Sequence, residues 1–92
     1  MGLEIYDIDG RHIGRFRSAG AVNAFARQVK HHPRKWATLD KLMKEGKGFV
    51  TKPLLAELKD FNQSREGKPV AAIGADLLRL LKKCKQYEII SI

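Results

Sequence analysis

Residues 3–16 read Leu3-Glu4-Ile5-Tyr6-Asp7-Ile8-Asp9-Gly10-Arg11-His12-Ile13-Gly14-Arg15-Phe16. Strand-forming residues on both sides of Asp9-Gly10 make this a hairpin signal, and it decides the fold class. A two-residue turn there sets Ile8 opposite Arg11, Asp7 opposite His12 and Tyr6 opposite Ile13. It also sets Glu4 opposite Arg15 and Leu3 opposite Phe16. Two of these pairs join opposite charges once His12 is protonated, and two join apolar side chains, which supports the register. The alternation puts Leu3, Ile5 and Phe16 on one face and Tyr6, Ile8 and Ile13 on the other. A two-stranded ribbon cannot hide both faces. Either helices cover both, or a partner covers one; a homodimer is the candidate arrangement.

Outward from the hairpin the period changes to that of helices. Ser18 is placed to N-cap a helix from Ala19 to about Lys30, with Val22, Phe25, Ala26 and Val29 as its apolar stripe. Pro33 ends that helix, because His32 before it is pushed out of the α region. Trp36 to Glu45 reads as a short helix with Leu39, Leu42 and Met43 inward, stopped by Gly46 and Gly48. Thr51 caps a third helix with Pro53 in its first turn and Leu54, Leu55, Leu58 and Phe61 on its apolar face. Pro69 opens a fourth, to about Lys85, and Tyr87 to Ile92 reads as a strand. The order is ββααααβ, an α+β fold: an N-terminal β-hairpin, four helices and a C-terminal strand joining a small antiparallel sheet. With 92 residues the chain is read as one domain, 1–92. Glu45-Gly46-Lys47 and Glu66-Gly67-Lys68 form a weak internal echo, each ahead of a leucine-rich helix.

The formal charge of +8 is not spread evenly. Between Gly10 and Leu39 there is no acid, but there are seven bases: Arg11, Arg15, Arg17, Arg27, Lys30, Arg34 and Lys35. The rest of the chain holds eleven bases against ten acids, so the excess belongs to one third of the protein. A segregated positive field attracts polyanions and makes binding salt-dependent. Trp36, at the end of this block, is either an exposed ring that stacks on an unpaired base or a core anchor at a helix start. A second ridge, Arg79, Lys82 and Lys83, lies opposite the apolar stripe of the fourth helix, where cations also complement the helix dipole.

Motifs of catalysis are missing. Gly46-Lys47-Gly48 lacks the spacing of a phosphate-binding loop, and Asp7 and Asp9 lack the further ligands of a calcium loop. His31 and His32 are adjacent and remote from Cys84, so no zinc spacing is present. No cofactor or metal is expected. Cys84 falls on an apolar stripe and reads as a small buried hydrophobe. The N-terminus lacks the regions of a secretory signal, no run nears the ~18 apolar residues of a membrane span, and one cysteine suits a reducing cytoplasm.

The function expected first is a non-catalytic module that binds DNA or RNA with the 11–35 surface, Trp36 included. The alternative is a small regulatory or inhibitory adaptor, of phage or mobile-element type, on an acidic protein surface or a nucleoprotein complex such as a host defence complex. A third class is an RNA-cleaving toxin using His12, His31 or His32 with a nearby arginine. The stretch from Trp36 to Ile92 is compatible with a helix-turn-helix. However, the link from Phe61 to Pro69 is long, and Val70-Ala71-Ala72-Ile73 is too apolar to read base edges.

Overall fold

Asp7 closes the hairpin. Its Oδ1 accepts the N–H groups of Asp9 (3.0 Å) and Arg11 (2.9 Å), while Asp7 N–H donates to the Arg11 carbonyl at 3.0 Å. Gly10 takes the left-handed conformation (φ 81°) that ends such a loop. The connection is therefore three residues, Ile8-Asp9-Gly10, not the two expected. The three-residue loop combines a turn with a left-handed glycine.

A computed structural model describes the backbone of residues 2–91 and the side chains of residues 4–15 and 20–89. Its strands are β1 (Gly2–Asp7), β2 (His12–Ser18), β3 (Lys47–Phe49) and β4 (Gln86–Ser91). Its helices are α1 (Ala19–Lys30), α2 (Ala37–Glu45), α3 (Lys52–Gln63) and α4 (Ala71–Leu81), with a 3₁₀ turn at Lys68–Val70. The four strands form one antiparallel sheet in the order β2-β1-β4-β3. This is the expected α+β fold, with β3 added to the expected sequence of elements.

The shorter register at the turn is repaired by bulges. Tyr6 pairs with His12, but Ile5 pairs with Gly14, so Ile13 is skipped; Leu3 pairs with Arg17, so Phe16 is skipped. Of the five pairs expected, only Glu4 opposite Arg15 holds. The first bulge turns Ile13 toward the core instead of onto the face shared with Tyr6. The expected faces of Leu3 and Phe16 fall on side chains outside those described.

Several helix ends have a visible cause, while the side chain of Ser18, expected to cap α1, lies outside those described. Thr51 Oγ1 accepts from Leu54 N–H at 3.2 Å and caps α3. Trp36 offers α2 no side-chain cap; Glu57 of α3 reaches across instead, its Oε2 accepting from Leu39 N–H at 2.7 Å. Gly46 closes α2 in the left-handed region (φ 69°). α4 ends at Leu81, earlier than the expected Lys85. Lys83 and Cys84 donate to carbonyls three residues back, tightening the chain toward β4. Gly46 is followed by β3 and Gly67 by a 3₁₀ turn, so the sequence echo does not extend to structure.

All four helices lie on one side of the sheet. Ile5 and Tyr87 from the strands meet Phe25, Val29, Leu39, Leu58, Phe61, Leu77 and Leu80 in one core. Phe61 is its hub: its ring is edge-on to Phe25 (5.1 Å) and to Trp36 (5.2 Å). Such pairs contribute about 0.5–1.5 kcal/mol each beyond their buried area. No helix among the described residues is long and apolar enough to cross a membrane.

Candidate nucleic-acid interface

α1 buries Val22, Phe25 and Val29 and turns Gly20, Asn23, Arg27 and Lys30 outward. With Ala26 these outward residues line a shallow depression of about 430 Å³. Arg27 and Lys30 occupy the last turn, where cations complement the carbonyl end of the helix. The chain then runs through six consecutive exposed residues, Lys30-His31-His32-Pro33-Arg34-Lys35. Turns stabilise this connector: His31 N–H donates to Arg27 O, His32 N–H to Val29 O and Trp36 N–H to His32 O. Arg34 thus follows one exposed connector from the Arg27–Lys30 end of α1.

Acids from outside the stretch divide the basic block. Arg11 Nε stands 3.6 Å from Asp7, and Arg15 Nε 3.5 Å from Glu4. Glu4 also meets His12 Nε2 at 3.5 Å and accepts from the Tyr6 hydroxyl at 3.1 Å; this hydrogen bond is the main cause of that phenol's raised pKa. Glu66, on the α3–α4 link, holds Lys35 Nζ at 3.3 Å and His32 Nε2 at 3.5 Å. Its carboxyl is held below its ordinary pKa, first by a backbone hydrogen bond of its own and then by Lys35 and His32. Arg27, Lys30 and Arg34 have no acid within ion-pair distance among the described residues. The side chain of Arg17 lies outside those described.

Trp36 is a core residue, 4% exposed, so it is the anchor and not the exposed stacking ring. Its ring is packed against Phe61 on one side and carries Lys35 Nζ 4.9 Å from its centroid. Lys35 is therefore held by both Glu66 and the indole.

The second ridge spans two depressions. Arg79, 3.9 Å from Asp76, and Lys82 face α3, where Lys59, Asn62 and Gln63 complete a groove of about 470 Å³ floored by Ala75 and Leu78. Lys82 also borders, together with Lys83, a second depression beside Asp7, Ile8 and Cys84. Lys59 enters only through the packing of α3 on α4. That packing is close because Gly74 has no Cβ: one there would lie 1.7 Å from Asn62 Oδ1.

The described histidines do not converge. His12 is tied to Glu4 on the sheet, and His32 to Glu66 on the connector. Among the described residues no three His, Cys, Asp or Glu side chains are grouped to hold a metal ion. Cys84 is half-buried, its thiol directed at the Leu81 carbonyl at 3.6 Å, and burial followed by the charge of Asp7 raises its pKa. No protein-family model, curated protein or solved structure matches the chain.

Proposed function

We propose that the chain is a non-catalytic nucleic-acid-binding module whose contact surface is the exposed face of α1 and the connector after it. One observation carries this reading: Arg27, Lys30 and Arg34 are exposed on α1 and the connector and meet no acid among the described residues, whereas Arg11, Arg15 and Lys35 each stand within 4 Å of a carboxylate. Three exposed cations suit phosphates, which attract without regard to base sequence. The burial of Trp36 removes from base stacking the ring that the sequence offered for it, so backbone contact dominates the proposal.

The test is a salt titration against a labelled random-sequence oligonucleotide. Affinity is expected to fall linearly on a log–log plot. Replacing Arg27, Lys30 and Arg34 by Ala reduces the slope by roughly 2–3, at about 0.7–0.9 per phosphate contact. No binding at about 50 mM salt overturns the reading. The same burial of Trp36 favours a second reading, a regulatory or inhibitory adaptor on an acidic protein or nucleoprotein surface, since such a surface needs cations and no stacking ring. Stoichiometric capture of one acidic protein, with no oligonucleotide binding, would select it.

A further inference from the structure

The helices cover one side of the sheet; the other carries Glu4, Tyr6, His12, Arg15, Lys47 and Glu88. Two large apolar side chains stand out at the turn end of this open side. Ile8 and Phe49 are each 69% exposed. Phe49 pairs across the sheet with Gln86, and Ile8, Phe49 and Gln86 border one shallow depression of about 600 Å³. Scattered exposed hydrophobics are ordinary, but two around one depression on an uncovered face mark an interaction surface.

The charges on the face indicate the partner. Glu4, Glu88 and, at the border of the depression, Glu45 offset Arg15 and Lys47, so the face carries both signs near balance on a chain of +8. An acidic partner would be drawn to the helix side instead. Copies of the chain repel one another through their net charge, and that repulsion is least where both signs are present in equal number. A two-signed face with an apolar centre is also what self-complementary two-fold pairing requires. Edge-to-edge pairing through β3 is discouraged by its three-residue length and by Lys47.

We infer that this open face binds a second copy of the chain, sheet against sheet, centred on Ile8 and Phe49. Three strands of about five residues and the three-residue β3, at ~4.8 Å spacing and ~3.4 Å rise, cover roughly 300 Å² in projection, so two copies cover on the order of 600 Å² of flat area, below the ~1,200 Å² total at the low end of stable interfaces. The dimer is therefore a weak one. It leaves the Arg27–Lys30–Arg34 surface of each copy facing outward.

Sedimentation equilibrium of the full chain without nucleic acid, from about 10 µM to about 1 mM, tests the inference. The mass rises from the 10.4 kDa of one chain toward twice that value. Association strengthens between low salt and about 0.5 M salt, because screening removes the repulsion between the two positive copies. This is opposite in sign to the salt dependence of polyanion binding. Ile8→Glu with Phe49→Glu holds the mass at one chain without lowering the melting temperature; Phe49→Ser serves if the double variant does not fold. A one-chain mass at the top of the range at both salts overturns the inference, and so does association that persists in the folded variants. Because nucleic acid is absent, neither result bears on the proposed phosphate surface.

Discussion

Replacing Glu66 by Gln removes one negative charge while keeping the shape of the side chain. Glu66 holds Lys35 at 3.3 Å and His32 at 3.5 Å, directly beside Arg34. Without that charge Lys35 joins the free cations of the connector, and the formal charge rises by one from +8. One further phosphate contact steepens the log–log salt slope by about 0.9 on duplex DNA. With the affinity extrapolated to 1 M unchanged, the variant binds about 15-fold tighter than the parent at 50 mM salt and about 4-fold tighter at 200 mM. The lost ion pair is solvent-exposed and contributes little to stability, so the fold is retained. Fluorescence anisotropy across the two salt concentrations measures both affinity and slope, with melting as a control. Glu4→Gln is the matched comparison. It frees Arg15 and His12 on the side of the sheet away from the helices, where a phosphate backbone lying on α1 and the connector does not meet them, and changes affinity less than two-fold. A folded Glu66→Gln variant with unchanged or weaker binding would refute the assignment of the contact surface to α1 and the connector. So would Glu4→Gln gaining as much.

Gly67→Ala places a Cβ 1.7 Å from the Phe61 carbonyl oxygen and 2.6 Å from its carbon, both backbone atoms. It should lose about 2–4 kcal/mol through overpacking and a disturbed helix end, read as a lowered urea midpoint. Gly20→Ala meets nothing within 4 Å and, inside α1, should raise stability by about 0.5–1 kcal/mol; a lower midpoint would contradict the helix described there. The Tyr87 phenol is pushed up to about 12, first by burial and then by Glu45 and Cys84. The folded state therefore holds this proton more tightly than the unfolded chain does. The resulting stability is complete below pH 10, the ordinary value, and lost as pH climbs through about 12, which a pH series of melts alongside absorbance of the tyrosinate would follow.

What could be read from sequence was local. The bounds of α1, Ala19–Lys30, are those observed, because the apolar stripe and the proline beyond it lie within a few residues. The turn was misjudged by one residue because Asp7, ahead of the Asp9-Gly10 signal, spends its carboxylate on the loop. β3 is not legible in the sequence because Lys47-Gly48-Phe49 is only three residues long, two of them depleted in strands, and exists through pairing with residues 86–88. The basic block was legible as composition. Its division into free and paired cations was not, because Glu66 lies 31 residues from the Lys35 it neutralises. Trp36 illustrates the same limit: its ring packs on Phe61, an aromatic 25 residues away on α3.

The strand order has a consequence in time. β4, made last, lies between β1, made first, and β3. A nascent chain still lacking residues 86–91 holds a hairpin and an isolated tripeptide with nothing to join them, while the residues of α1 and the connector have already emerged. The cationic surface is therefore available to the helical part of the chain before the sheet can close. The face inferred to recognise a second copy is withheld until synthesis has passed β4, so pairing between neighbours on one messenger is delayed until each copy has its own sheet.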